Sequence, residues 1–416
     1  MGLQDRLKLY EQMEKLRKRP LVVFMTSTRP GVAAMIAQDL VAEMLSQLQV
    51  LPSYDGLDLL IVSHGGDATV AWRVVSLIRE RVKKLSVMVP QVAYSAATLL
   101  ALGADEIVMH PHGNLGPTDP QITSRKIPKE GSPQQLTFGS QDLAAFLKFA
   151  REEVGLTDQA NLLEVLKQFC DQVGPVPIGV AARASQLSES MGEKLLQLHM
   201  TGEADKQKAH GIAQALNRSF FHHGYPVSRS EAKEIGLRVA TPNTEVESVM
   251  WSIWLDLERE FNLREPFSPL ALLRNDPNCS RLFDPVPLLN WPANLPPNVA
   301  QHVFSQLLPQ MIVLVSPTRY ELLAGVLESS RLATRSITAG WVFATRSPDL
   351  QVKVQLLPDT QGWVDVGLKT GEVRRPSTPA PLLGATSPGP NTASVPSQAQ
   401  ATAPVPGPSP APGQGP

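Results

Sequence analysis

The sequence predicts an α/β fold built around a mainly parallel sheet. Apolar segments that begin at Pro20, Leu57 and Leu85 are rich in β-branched residues and run without polar alternation. Each is followed by a segment with helical periodicity, and strands of this kind are usually covered on both faces. The alternation therefore indicates a sheet with helices packed on both sides.

The first half of the chain contains an N-terminal helix and then four alternations of strand and helix. In the N-terminal segment an amphipathic helix is predicted, because apolar residues recur there at helical spacing: Leu3, Leu7, Tyr10, Met13 and Leu16. It is expected to pack on its own domain, and the alternative is a neighbouring subunit. The elements predicted after it are strands at 20–27, 57–63, 85–90 and 105–111 and helices at 33–48, 68–81 and 95–104.

Helices predominate in the next part of the chain. They are predicted at 142–154, 161–173, 185–200 and 251–261, with a capped short helix and a closing strand in 228–240. From about Ser268 prolines cluster, and the short segments MIVLVS, AGWVFATR, LQVKVQLL and GWVDVGLK read as strands. Alternation of polar and apolar residues in 351–356 predicts that they form a small, half-exposed sheet of their own.

These patterns divide the chain into three parts. Residues 1–265 are predicted to form the main α/β domain, and 266–375 a small C-terminal module with short strands. After Arg375 no residue is charged or aromatic, and 12 of the 37 prolines lie in the last 41 residues. Such a segment buries too little apolar surface to offset its ordering entropy, so 376–416 are predicted to be a disordered Pro/Ala/Ser-rich tail.

Composition excludes several classes of function. The formal charge of −1 gives no drive toward nucleic acid, and the apolar runs are strand-sized, far short of a membrane span. Two cysteines, Cys170 and Cys279, cannot form a disulfide framework, and the charged N-terminus has no signal-peptide core. A cytoplasmic protein without cofactors is therefore expected.

Ser95 is the candidate nucleophile. It follows a strand through a short turn and begins a helix, whose free N–H groups and partial positive charge favour a bound oxyanion. The small side chains of Ala96 and Ala97 leave room for a substrate carbonyl. The alternative is that Ser95 is only an N-cap, a role that serine fills often.

A double glycine ends the preceding predicted strand. Gly65 and Gly66 follow LDLLIVS and lie where ligands bind in open α/β sheets, at the carboxyl ends of the strands. Glycines let the main chain approach a substrate and point N–H groups at a developing oxyanion. The alternative is a tight strand-to-helix turn without a catalytic role.

Taken in order, these motifs resemble those of a known group. The series GG, YSAATLLALGADEIVM, LGPTDPQ and FHHGYPVSRSEAKEIGLRV is similar to the serine dehydrogenase proteinase family, which belongs to the Clp protease and signal peptide peptidase class. The resemblance spans residues 5–260. It implies the Clp/crotonase fold, with its repeated β-β-α core, and assembly into homo-oligomers.

The resemblance also implies roles for individual residues. Ser95 matches the nucleophile, Gly66 and Ala96 match the oxyanion amides, and Gly65, Gly116 and Asp119 fall in the segments that line the substrate groove. The chain departs from the wider class by having His64 in place of proline, Ala97 in place of glycine, and His110 where glycine is common.

The general base is the part of the site that the motifs do not assign. Clp-type proteins use a Ser-His-Asp triad and signal peptide peptidases a Ser-Lys dyad, but the Clp-type histidine falls here near Thr118 or Asp119. Lys126 is the tentative base and Lys129 a second lysine of the same loop, since a desolvated lysine can accept a proton. A solvated lysine is the alternative for each.

Histidines offer further candidates. His222 and His223 could fold back toward the groove or be satisfied by backbone partners, and Asp119 could orient a base or cap a turn. His110 and His112 flank a proline, but no clustered carboxylate or cysteine accompanies them, so no metal site is expected.

Three functions are compatible with this reading. The first is a serine endopeptidase acting on peptides or unfolded segments, without its own ATPase because no GxxxxGK[ST] loop is present. The second is a catalytically weak or inactive oligomeric scaffold of the same fold. The third is crotonase-like acyl-CoA chemistry, although the sequence has no obvious acidic pair in the helix where that chemistry would need one.

Overall fold

The computed structural model describes residues 2–126, 134–220, 222–285, 296–368 and 373–374. In this part of the chain no helix is both long and apolar enough to cross a bilayer. The tail predicted after Arg375 lies outside the described residues.

Strands and helices alternate in the first part of the chain, as predicted. In order, the elements are α1 (Leu3–Arg17), β1 (Leu21–Thr26), α2 (Leu40–Val50), β2 (Gly56–Val62), α3 (Ala68–Arg79), β3 (Lys84–Val89), β4 (Val92–Ala93), α4 (Ala96–Leu102), β5 (Glu106–Met109) and β6 (Asn114–Leu115).

A hairpin, a set of helices and a group of long strands complete the chain. These elements are β7 (Gln121–Lys126), β8 (Gln134–Gly139), α5 (Ser140–Glu152), α6 (Gln159–Val173), α7 (Pro175–Gln197), α8 (Glu203–Arg218), α9 (Arg229–Ile235), β9 (Val239–Ala240), α10 (Thr244–Glu260), α11 (Pro269–Asn275), α12 (Pro297–Leu307), β10 (Val313–Leu314), β11 (Thr318–Glu328), β12 (Ala333–Arg346), β13 (Val352–Val366) and β14 (Val373–Arg374). Short 3₁₀ helices follow α11 and α12.

Ten of the described strands form one large sheet in the order β14-β13-β12-β11-β1-β2-β3-β5-β9, with β10 beside β12. The pairs from β1 through β2, β3 and β5 to β9 are parallel, whereas β1–β11 and the pairs beyond β11 are antiparallel. Two smaller pairs, β4–β6 and β7–β8, lie off this sheet. The prediction of an α/β fold with a parallel core is confirmed.

Both faces of the parallel strands are covered. All six residues of β1 are buried, with Val22 and Phe24 in the layer that contains α2, α3 and α4. Val23 and Met25 face the opposite layer, which contains α1 and α10. Two-sided burial is the reason that these strands lack polar alternation.

Two expectations about elements are wrong. Helix α2 begins at Leu40 rather than Ala33, because Ile36 pairs with Gly66 in a parallel bridge and is therefore extended. The C-terminal strands do not form a sheet of their own, because Met25 of β1 lies opposite Val326 of β11 in an antiparallel ladder.

The sheet thus crosses the predicted boundary at residue 265. The division of the chain into domains stays a prediction, but the strands on either side of that boundary share main-chain hydrogen bonds.

Candidate active site

Ser95 occupies a strained turn between β4 and α4. Its backbone adopts φ 52° and ψ −116°, outside the regions that ordinary residues favour. Although Ser95 holds the N-cap position of α4, its side chain makes no capping hydrogen bond. The hydroxyl is half-buried, and a backbone outlier with an unused polar side chain points to a functional role rather than a helix cap.

The Gly65–Gly66 turn packs directly against Ser95. Both glycines have positive φ, 102° and 151°. A Cβ built on Gly65 would lie 2.8 Å from Ser95 Cβ and 2.9 Å from Ala96 N, so the two turns are in van der Waals contact. A Cβ on Gly66 would lie 2.2 Å from Ile36 O, so neither position has room for a side chain.

Two main-chain amides at this junction have no hydrogen-bond acceptor among the described residues. The neighbouring amides are engaged: Gly65 N donates to Ser63 Oγ at 3.1 Å and Ala97 N to Tyr94 O at 2.9 Å. The Gly66 and Ala96 N–H groups have no such partner, and Ala96 N is in the first turn of α4, where amides are left free. Two unpartnered N–H groups beside a serine hydroxyl can hold an oxyanion.

The loop after β6 is fastened to the same region. The buried Thr98 hydroxyl donates to Gly116 O at 2.9 Å and accepts from Gly116 N at 3.1 Å. Gly116 also lies against the Tyr94 ring, because a Cβ built on it would be 2.8 Å from that ring. Reciprocal main-chain bonds join Leu115 to Val227 and bring the segment before α9 to this loop.

That junction brings Asp119 and His223 together. Nδ1 of His223 lies 2.9 Å from Oδ1 of Asp119, and Gln121 Nε2 donates to the other carboxylate oxygen at 2.8 Å. Asp119 is 7% exposed, whereas His223 is partly exposed. In the tautomer whose Nδ1–H donates to this carboxylate, Nε2 carries the lone pair that can accept a proton. A groove of about 460 Å³, lined also by His222 and residues of α5, opens beside this pair.

His64 and Tyr94 lie next to the two turns. Their rings stack with centroids 5.7 Å apart and an interplanar angle of 12°. Partial desolvation lowers the pKa of His64 below 6.5 and raises the pKa of Tyr94 above 10. Both side chains are therefore neutral near pH 7.

Other predicted candidates lie away from this arrangement or outside it. Lys126 is the last residue of β7, and its side chain and the whole of Lys129 fall outside the described residues. His110 stacks on Trp251 of α10 at a centroid distance of 4.8 Å, and His112 lies tilted against the same indole at 5.1 Å. Burial lowers the pKa of His110. Among the described residues no three metal-binding side chains cluster.

Sequence reasoning left two features of the site unassigned. Asp119 and His223 were candidates, but their pairing over 104 positions has no local signal. The hydroxyl pair of Thr26 and Ser63 beneath the glycine turn, 2.7 Å apart, was not identified. The only sequence signal for this hydroxyl pair is a polar residue at the end of each of two apolar strands.

Comparisons with known proteins support the relationship that the motifs indicated. Residues 31–130 match the family described as ClpP-like SDH-type serine proteinase. Two uncharacterized proteins of Methanocaldococcus jannaschii are 26% and 28% identical over 200 and 204 residues, which is 48% of this chain in each case. The matched stretch covers 57% and 58% of those proteins, so the chain spans little more than half of their length.

Among solved structures, a membrane-bound stomatin-specific protease aligns with 56% of this chain and 84% of its own. Its identity is 13% and its TM-score 0.33. The family match covers the Gly65–Gly66 turn, Ser95 and the loop that carries Asp119. Over residues 31–130, this chain is therefore similar to the ClpP-like SDH-type serine proteinases.

Proposed function

We propose that the protein is a serine endopeptidase that hydrolyses peptides or unfolded protein segments, with Ser95 as nucleophile. The observation that carries the proposal is the contact between the Ser95 turn and the Gly65–Gly66 turn, with free amides on both. The family match supports a serine peptidase, and the assignment of residues is ours.

In the proposed reaction, Ser95 Oγ attacks the carbonyl carbon of the scissile bond and its proton passes to a general base. The carbonyl oxygen becomes an oxyanion and accepts hydrogen bonds from the Gly66 and Ala96 N–H groups. The base then returns the proton to the leaving amine as the C–N bond breaks. Water hydrolyses the acyl-enzyme ester through the same steps, and Ser95 is regenerated.

His223 is the base that the described contacts favour. Asp119 accepts its Nδ1–H, so Nε2 is free to take the Ser95 proton, and the carboxylate stabilises the imidazolium that forms. The pair is attached to the Ser95 turn through Gly116 and Leu115. Lys126 stays a predicted alternative.

Activity measurements on variants separate these roles. Ser95→Ala should abolish hydrolysis of a fluorogenic peptide and labelling by a fluorophosphonate, with unchanged thermal unfolding. His223→Ala should reduce kcat by roughly 10⁶-fold, as loss of a triad histidine does, whereas Lys126→Ala should change it little. His210→Ala, which removes an exposed imidazole of α8, is the matched control.

Each outcome has a definite meaning. Retained turnover in Ser95→Ala would refute the peptidase proposal for this site. A large loss in Lys126→Ala with little change in His223→Ala would move the base to the lysine. We also propose cytoplasmic location, homo-oligomeric assembly and ATP-independent action. Gel filtration tests the assembly, and assays without nucleotide test the independence from ATP.

A further inference from the structure

A buried hydroxyl pair lies beneath the Gly65–Gly66 turn. Ser63 directly follows β2 and is fully buried, and its Oγ accepts the Gly65 N–H at 3.1 Å. The same oxygen is 2.7 Å from Oγ1 of Thr26, the last residue of β1, which is 3% exposed. The pair therefore connects the glycine turn to the end of the neighbouring strand.

The main chain of Ser63 is bonded to the segment that leads to Ser95. Ser63 N donates to Val92 O at 3.0 Å, and Tyr94 N donates to Ser63 O at 2.9 Å. A single residue is thus hydrogen-bonded to β1, to its own turn and to the turn that carries the nucleophile. Any displacement of Ser63 alters the distance between the two sides of the proposed oxyanion site.

The Ser63 hydroxyl holds one side of the glycine turn, through the N–H of the His64–Gly65 peptide. Gly65 O accepts from Ile36 N at 2.7 Å, and Asp67 N donates to Ile36 O at 2.9 Å, so the turn is bonded on its other side as well. Glycines have little steric resistance to rotation of the peptide between them. The bond from Gly65 N–H to Ser63 Oγ fixes the preceding peptide. Together with the bond from Ile36 N to Gly65 O, it limits rotation about Gly65 and so holds the next amide, Gly66 N–H, in place.

We infer that Ser63, anchored by Thr26, is a positioning residue that holds the Gly66 amide toward the oxyanion of the transition state. The inference rests on the proposed peptidase function and adds to it residues that do not themselves touch the substrate. A hydroxyl that acts only on the oxyanion donor should affect transition-state binding and leave substrate binding alone.

Steady-state kinetics on four variants test this assignment. Ser63→Ala should lower kcat by roughly 10- to 100-fold with KM within about threefold, since loss of an oxyanion donor costs 10²–10³ and misorientation costs less. Thr26→Val, which replaces the hydroxyl with a methyl, should lower kcat by a smaller factor, and Thr26→Ser should restore it. Ser185→Ala, which removes a buried hydroxyl bonded to Asn217, should leave kcat unchanged.

A second measurement separates positioning from general destabilisation. A peptide aldehyde forms a tetrahedral adduct with Ser95 whose oxygen occupies the oxyanion site. Its affinity should fall by the same factor as kcat in Ser63→Ala. Affinity for the intact peptide, measured in a Ser95→Ala background, should not change.

Unchanged kcat and aldehyde affinity in both Ser63→Ala and Thr26→Val would overturn the inference, as would an equal loss in Ser185→Ala. If Ser63→Ala does not fold, the comparison of Thr26→Val with Thr26→Ser decides alone. Full turnover in Ser95→Ala would instead overturn the proposed function, so the two failures are distinguishable.

Discussion

Substitution of Gly65 by alanine tests directly whether the two turns must touch for activity. The new Cβ would lie 2.5 Å from Tyr94 O, 2.8 Å from Ser95 Cβ and 2.9 Å from Ala96 N. All three neighbours belong to the Ser95 turn, and two are backbone atoms that cannot move as a flexible side chain does. The strain therefore falls on the segment that carries the proposed nucleophile.

The expected loss follows from these distances. The Tyr94 carbonyl would have to retreat by about 0.9 Å to reach the 3.4 Å at which ordinary contact begins. A displacement of about 1 Å in a catalytic arrangement costs on the order of 100-fold in rate. The positive φ of Gly65 adds roughly 1–3 kcal/mol of backbone strain. Gly65→Ala should thus reduce kcat by about 100-fold and lower the free energy of unfolding by a few kcal/mol.

The assay combines peptide hydrolysis, fluorophosphonate labelling of Ser95 and thermal unfolding. Gly211→Ala is the control, because a Cβ at this exposed position of α8 meets nothing within 4 Å. It should stabilise the fold by about 0.5–1 kcal/mol and leave kcat unchanged. The reasoning is refuted if a folded Gly65→Ala variant retains kcat within about threefold of the parent.

The other predictions concern stability. Arg6 is fully buried and donates hydrogen bonds to Asp256 at 2.6 Å and Glu328 at 2.8 Å. Arg6→Met removes the guanidinium from two buried carboxylates, so it should lower the free energy of unfolding by about 3–5 kcal/mol, measured by chemical denaturation. A loss under 1 kcal/mol would contradict this. Burial outweighs the Leu102 carbonyl in lowering the pKa of His199 below 6.5. The unfolded chain therefore binds that proton more readily, and the free energy of unfolding should fall as pH drops from about 6.5 through the folded pKa. His199→Asn should flatten that slope, and an unchanged slope would exclude His199 as its source.

The parallel core could be predicted from the sequence because its signals are local. The strands β1, β2 and β3 are buried on both faces, and continuous apolar runs are the direct consequence in sequence. Their bounds were predicted to within a few residues. The start of α2 was not predicted correctly, because the bridge between Ile36 and Gly66 keeps that segment extended and involves a partner thirty positions away.

Strand β11 was not predicted at all. Its sequence TRYELLAGVLE contains Glu321, Leu322, Leu323 and Ala324, residues that favour helices. The pairing with β1 and β12 overrides that propensity, and β1 lies about 300 residues earlier in the chain. A local pattern carries no information about such a partner.

The same distinction applies to the candidate site. Ser95 and the glycine pair could be recognised because each ends a strand and begins a helix within a few residues. The pairing of His223 with Asp119 depends on the main-chain bonds between Leu115 and Val227. Those bonds exist only in the folded chain, so the sequence left the base among several lysines and histidines.

The antiparallel pairing of β1 with β11 has a practical consequence for anyone who wishes to isolate the first part of the chain, which carries the proposed site. A fragment ending near residue 265 would leave one side of β1 without its hydrogen-bonded neighbour, along a strand whose six residues are all apolar or buried. Bare edges of this kind recruit other chains and promote aggregation. A fragment trimmed near residue 265 is therefore expected to be insoluble.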